Sequence, residues 1–525
     1  MTLAANTMQS GESAPKSDYV LDAPYTWSYF EYQNPLKMAF IANVNGFAAP
    51  SLDDDFAYCD LGCGNGVSVN LLAPMFPKGS FHGVDFNAEH IENANQLAQA
   101  GKLDNATFVD ASFSDYASDD PPKFDFIALH GIYSWVSEEV RVQIRDLIDR
   151  TLNPGGLVYV CYNTLPGWSE LIPLWRMMQS YTKAETGNSV DRAQKALRTI
   201  SVMRDHGARY FRDNPSASNY LDRLIARDPN YVAHEFCNQI FEPMYFEDVA
   251  RGLKDLGLSF AGTMKTHRND VRNILPSDLL SFVDSASDPI EAEARRSLMR
   301  NEFFRRDLYV RDGLKLTDQE RSRAISAYRF GSKHAIDRSK RSLSLGRRTI
   351  NTTSEENACV LDHVANSGDA LRNLIKTNWA REAEIIAATI DLVGTGEIQP
   401  TTGNVRHMAV DPGPAYRVAH AINRACLENI LDGEGRCYLM APNLGCAVRV
   451  NFIEGRLLRA LTSISIAEAM EKIALEIRTG ADAVLKSHGY SPDSAGAKRL
   501  ERKAGDFIMQ KFPELVALGV LEPVD

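Results

Sequence analysis

No window of this 525-residue chain approaches 18 uninterrupted apolar residues, so a membrane-spanning helix is not expected. The first 20 residues lack an apolar core behind a basic start, and no secretory signal is read there. A basic excess is also missing. Fifty-seven Lys and Arg stand against 68 Asp and Glu, a formal net charge of −11, which argues against nucleic acid as a partner. The eight cysteines form no Cys-x-x-Cys pair, and several lie in apolar, strand-like runs, as reduced core thiols of a cytoplasmic protein do. His-Glu-x-x-His and other zinc spacings are absent, so no metal is expected, and His234, Glu235 and Cys237 read as part of a helix. Repeats of fixed period are absent too. What is left is the 44 % hydrophobic, 24 % charged composition of a globular protein, long enough for two or three domains.

Residues 1–20 are polar and small and read as a disordered tail. An aromatic-rich, helix-like segment follows from Tyr25 to Phe47. Five short apolar runs then begin at Phe56, Phe81, Ala106, Phe124 and Leu157, with helical patterns near 65–73, 88–101 and 138–152 between them. Such alternation predicts βαβ units and a parallel sheet. Residues 166–242 read as a helical insertion, and 242–264 as one more helix–strand unit of the same sheet. The run Phe303–Arg311 is expected as a last edge strand, closing an α/β domain over 21–312. The arginines of 295–311 and the basic stretch 338–348 read as solvated faces. Residues 313–525 form a mainly helical C-terminal domain, whose segment ending in Gly394-x-Gly396 resembles a helix running into a short wing.

The stretch YCDLGCGNGVSVNLL, from Tyr58 to Leu72, holds the chemistry. Glycines at 62, 64 and 66 follow a strand and its terminal Asp60, and a helix begins near Val67. Glycine is favoured where φ is positive or a ligand lies against the backbone, and the following helix presents amide donors there. A dinucleotide turn needs Gly-x-Gly-x-x-Gly, but position 67 is Val. The pattern Asp-x-Gly-x-Gly-x-Gly instead resembles motif I of class I S-adenosylmethionine-dependent methyltransferases. That resemblance implies a Rossmann-like sheet and S-adenosyl-L-methionine as cofactor. It places the methionine moiety at Asp60, Gly62, Cys63, Gly64 and Gly66, the ribose at Asp85 beside Phe86, and adenine at Asp110, Ala111 and Ser112.

The fourth run continues into LHGIYSWVSEE, without the Asn/Asp-Pro-Pro-aromatic motif of many enzymes that methylate planar nitrogens. HGIYSWV, YNTLPGW (162–168), HEFCNQIFEPMYFEDV (234–249) and APYTWSYFEYQNPLKMAF resemble bacterial methyltransferases that carry a methyltransferase regulatory domain. That family includes the rickettsial-type protein lysine methyltransferases. The resemblance covers about 20–310, with the regulatory-type segment at about 220–305. It implies methyl transfer to a protein side chain, with lysine the leading acceptor. His130, Tyr133 and Trp135 are the catalytic candidates, His130 also as a cofactor contact, and Tyr29, Tyr32 and Trp168 can add to an aromatic channel. A small molecule or cell-surface sugar as acceptor, or a cofactor-binding protein without turnover, stays compatible with these residues. The acceptor and the oligomeric state are not legible.

Overall fold

The inner strands of the central sheet are largely buried runs, while Ala106–Asp110 at its edge is partly exposed; Gly79–Asp85 and Ala106–Asp110 end on an acidic residue, and Phe56–Leu61 runs into a glycine. The computed structural model describes residues 22, 27–410, 416–429, 436–460, 468, 471, 475 and 494–524. The tail read over residues 1–20 lies outside them. Five strands are parallel: β1 (Phe56–Leu61), β2 (Gly79–Asp85), β3 (Ala106–Asp110), β4 (Phe124–Leu129) and β5 (Leu152–Asn163). Burial on both faces is what a parallel sheet covered by helices requires. Two further strands, β6 (Leu258–Thr263) and β7 (Phe304–Arg311), complete the order β3-β2-β1-β4-β5-β7-β6.

The expected place of Phe303–Arg311 needs correction. It is an inner strand, antiparallel to both β5 and β6, and β6 forms the edge. Leu308, Tyr309 and Val310 are fully buried, and the charges of Arg305 and Asp307 are tolerated inside because they pair with each other. Charged residues in the run suggested an edge; their pairing removes that signal.

Helices α1 (Pro35–Val44), α2 (Val67–Leu72), α3 (Ala88–Gly101), α4 (Phe113–Ser118) and α5 (Glu138–Thr151) pack around these strands. Their starts are set locally. The side chains of Asn34, Asn87, Ser112 and Ser137 each accept an amide N–H of the helix they precede, and Pro35 occupies the first turn of α1.

The described residues form two compact units: 22, 134–136 and 167–242 in one, and 27–133, 137–166 and the described residues from 243 onward in the other. Helices Ile172–Ala184, Ser189–Asp205, Arg209–Asp213, Pro215–Ile225 and Pro229–Phe236 make up most of the first. Its core gathers Trp135, Trp168 and Trp175 around Phe241, at ring-centroid distances of 4.6, 4.6 and 5.3 Å. The second unit holds the sheet together with the described C-terminal residues, which form helices and four two-stranded antiparallel sheets. Helix Glu382–Thr395 leads into Gln399–Thr401, which pairs with Arg329–Gly331.

Candidate active site

Beyond the carboxyl end of β1 the chain makes a turn that only glycine accommodates easily. Gly62, Gly64 and Gly66 have φ of 78°, 53° and 65°, all left-handed. A Cβ on Gly66 would lie 2.5 Å from the Ala94 methyl and 2.6 Å from the Phe108 ring. The turn is tied to β2: the Gly62 and Cys63 amides donate to the Val84 carbonyl at 2.7 and 3.1 Å. The Gly64 amide donates to Asp85 Oδ2 at 2.9 Å, and the Asn87 amide to Asp85 Oδ1 at 3.0 Å.

Asp60 is 2 % exposed, and burial together with Asp85 pushes its carboxyl up to about 8. Two acidic groups facing one turn favour a cation there. Phe86, directly after Asp85, is 52 % exposed and presents a large apolar ring at the strand end. Asp85 and Asp110 are register partners on β2 and β3, and the Ala111 amide donates to the Asp85 carbonyl at 3.1 Å. Ser112 caps α4, accepting from the Asp115 amide at 3.1 Å. These residues form one row along the carboxyl ends of β1, β2 and β3, as an extended nucleoside–amino acid ligand needs.

The other side of the site lies past β4. His130 stacks on Phe30, with ring centroids 3.9 Å apart and planes inclined by 22°. Its Nδ1 is 3.0 Å from the Tyr159 hydroxyl on β5. Burial, and then the Arg306 cation, push His130 down to about 3, so the imidazole is neutral at pH 7. The Arg306 guanidinium lies over the Tyr32 ring at 4.8 Å and the Phe304 ring at 4.6 Å, and its Nε is buried without a hydrogen-bond partner. Arg306 sits on β7, three strands from β1, roughly 14 Å across the sheet. The two halves of the site therefore lie side by side along the strand ends.

The sequence candidates distribute unevenly. Asp60, the three glycines, Cys63, Asp85, Phe86, Asp110 and Ala111 gather at the glycine turn and the strand ends beside it, with Ser112 at the start of α4. Tyr133 is 3 % exposed, with Arg145 Nη1 3.4 Å from its hydroxyl, which ties it to α5. Tyr29 packs against Tyr438 at 6.2 Å, while Trp135 and Trp168 belong to the Phe241 cluster. His234 and Glu235 lie on helix Pro229–Phe236 and Cys237 caps it. Among the described residues no group of His, Cys, Asp and Glu is arranged to hold a metal ion. Sequence reasoning missed Phe30, Gln33, Tyr159 and Arg306. Gln33 carried a local signal, as an amide among apolar residues just before the Asn-Pro helix start.

The strand order, the glycine turn and the acidic strand ends together define a class I S-adenosylmethionine-dependent methyltransferase. A methyltransferase domain model matches residues 52–228, and a predicted methyltransferase regulatory domain model matches 228–311. An uncharacterized protein of Synechocystis sp. is 30 % identical over 511 residues, 96 % of this chain and 99 % of its own. The chain belongs to this family of methyltransferases carrying a regulatory domain. PKMT2 from Rickettsia typhi, solved in complex with AdoHcy, shares the fold with a TM-score of 0.70 at 20 % identity, over 95 % of this chain and 100 % of that one. A trans-aconitate 2-methyltransferase of Rhodopseudomonas palustris is 28 % identical over 109 residues, 21 % of this chain and 39 % of its own.

The residues fit S-adenosylmethionine. The glycine turn is closely packed, a Cβ on Gly62 running into Ile132 and one on Gly66 into Ala94 and Phe108, the buried carboxyls of Asp60 and Asp85 suit a cation, and the exposed Phe86 ring stands directly after Asp85.

Proposed function

We propose that the protein transfers the methyl group of S-adenosylmethionine to a protein side chain, with the lysine amine as acceptor. The cofactor's methionine end lies at Asp60, Gly62, Cys63, Gly64 and Gly66, its ribose at Asp85 and Phe86, and its adenine along Asp110, Ala111 and Ser112. The acceptor enters beside the Phe30–His130 stack and Tyr32. Likeness of fold to PKMT2 over nearly the whole chain supports a protein acceptor.

One observation carries the choice of amine. A free lysine has a pKa near ~10.4, so about one amine in a thousand is neutral at pH 7 and able to attack. The surroundings that hold His130 at about 3 combine burial with the Arg306 cation. The same two effects disfavour an entering ammonium and raise its neutral fraction. Holding the neutral amine in line with methyl and sulfur is then most of the catalysis. His130 and Tyr159 orient the acceptor. Tyr133, bonded to Arg145, supports the loop, and Trp135 follows it in sequence.

A second reading has its own support. The unpartnered Nε of Arg306 suits a carboxylate, and the partial likeness to trans-aconitate 2-methyltransferases is compatible with a small anionic acceptor. Incubating cell lysate with the protein and radiolabelled methyl donor separates the two. Label on protein, released as methyl-lysine after hydrolysis, is expected. Label confined to small molecules would overturn the lysine reading.

The charge at Asp60 gives a further expectation. A carboxyl raised from its ordinary 3.8 to about 8 is mostly protonated at pH 7, and an ammonium beside it restores the carboxylate. Binding of S-adenosylhomocysteine at pH 7 should therefore release a proton. The apparent calorimetric enthalpy should then differ between phosphate and Tris buffers; equal values would exclude the linkage. Without ligand, the protonated Asp60 contributes stability below pH 3.8 that is lost as pH rises through about 8. His130 acts oppositely: its contribution is present above 6.5 and is lost as pH falls toward 3.

A further inference from the structure

Between α1 and the glycine turn lies a side chain with an unmet hydrogen-bonding need. Gln33 closes a short 3₁₀ turn, Glu31–Gln33, and is 1 % exposed. Its Nε2 donates to Asp60 Oδ1 at 2.8 Å. Its Oε1 is buried and has no hydrogen-bond partner. A buried carbonyl without a donor is costly, so native proteins rarely leave one unless something else supplies the donor.

The backbone holds Gln33 in place. Its amide donates to the Phe30 carbonyl at 3.2 Å, and the Phe30 amide donates to Ser68 Oγ on α2 at 3.1 Å. Asn34, the next residue, caps α1 and donates to the Gly445 carbonyl. The segment is thus fastened on both sides of the amide, and Gln33 stays against Asp60.

We propose that the Gln33 amide oxygen binds the α-ammonium of S-adenosylmethionine, making Gln33 a cofactor-binding residue alongside Asp60. This rests on the cofactor reading above. An ammonium offers three N–H donors, and here an amide oxygen and a carboxyl meet with no protein donor on that oxygen. A charge-assisted bond to a fixed amide is the stronger kind. Turning the amide over would place its carbonyl against the Asp60 carboxyl, a bond available only while that group is protonated. The orientation found here, with the amide N–H on Asp60 and the oxygen left open, is the one an ammonium bound between them requires. The site also discriminates: a nucleoside lacking the amino acid end gains nothing from Gln33.

The test compares two ligands on full-length protein by calorimetry. S-adenosylhomocysteine carries the ammonium; 5′-methylthioadenosine keeps the nucleoside and thioether but lacks the amino acid part. In Gln33→Met, close to the native side chain in length, S-adenosylhomocysteine affinity should fall roughly 10-fold or more. Affinity for 5′-methylthioadenosine should stay within about twofold of wild type, a result that also shows the variant is folded. Gln33→Ala should repeat the pattern should the methionine pack poorly. Equal losses for both ligands would make Gln33 a support of the turn only, and unchanged affinity for both would remove it from the site; either overturns the proposal. Wild-type protein that binds 5′-methylthioadenosine but not S-adenosylhomocysteine refutes the ammonium site alone. Wild-type protein that binds neither brings down the cofactor reading with it.

Discussion

Asp85→Ala is expected to weaken S-adenosylhomocysteine binding by about 1–3 kcal/mol, roughly 5- to 150-fold, while the protein stays folded. Asp85 is 8 % exposed and both its oxygens already accept backbone amides, from Gly64 and Asn87. Its loss therefore removes the group proposed to face the ribose and one tether of the glycine turn at once. Asp85→Asn keeps an acceptor for Gly64 and should lose less. The alanine variant should also release less proton on binding, because Asp85 is one of the two causes that raise the Asp60 carboxyl. Calorimetry reads both quantities. Unchanged affinity in a folded Asp85→Ala protein would take this carboxylate out of the site.

Arg305→Ala should cost about 3–5 kcal/mol of stability, the scale of breaking a buried ion pair by removing one partner. The Arg305 side chain is 2 % exposed and donates to Asp307 through Nε and Nη2 at 2.7 and 3.0 Å, and to Glu293 at 2.9 Å. Its guanidinium also covers the Phe246 ring at 4.2 Å. Alanine leaves the fully buried Asp307 without a cation, while Glu293, 5 % exposed, keeps Arg296 at 3.4 Å and Arg300 at 3.6 Å. The Tyr162 hydroxyl donates to Asp307 at 2.7 Å but brings no compensating charge. Arg305→Lys restores charge without the paired geometry and should recover only part of the loss. Urea unfolding measures the difference; a loss below about 1 kcal/mol would mean that water reaches the carboxylates.

Strands β1 to β4 and the apolar part of β5 were legible as short apolar runs, while β5 begins at Leu152, five residues before the run read from Leu157. Helix α3, read over 88–101, is found at Ala88–Gly101. The spacing of Asp60, the glycines, Asp85 and Asp110 works the same way, since the chain itself carries each to a strand end. Placing β7 was harder: nothing local in Phe304–Arg311 says that it enters between β5 and β6. The partners of His130 were hidden for a related reason. Phe30 comes from before the first strand, Tyr159 from the middle of the fifth and Arg306 from the seventh. Aromatic identity alone was a poor guide. Tyr133 and Trp135 are near His130 in sequence, yet one side chain meets Arg145 and the other Phe241.

The late arrival of β7 has a consequence for synthesis on the ribosome. About 140 residues separate the end of β5 from the start of β7, the strand that covers its open side. At roughly 5–20 residues per second, translation leaves that apolar edge unpaired for about 7–28 s. An uncovered edge of this kind invites pairing with a neighbouring nascent chain. The segment matched as regulatory supplies both β6 and β7, so until it emerges the catalytic sheet is a half-finished template rather than an enzyme awaiting control.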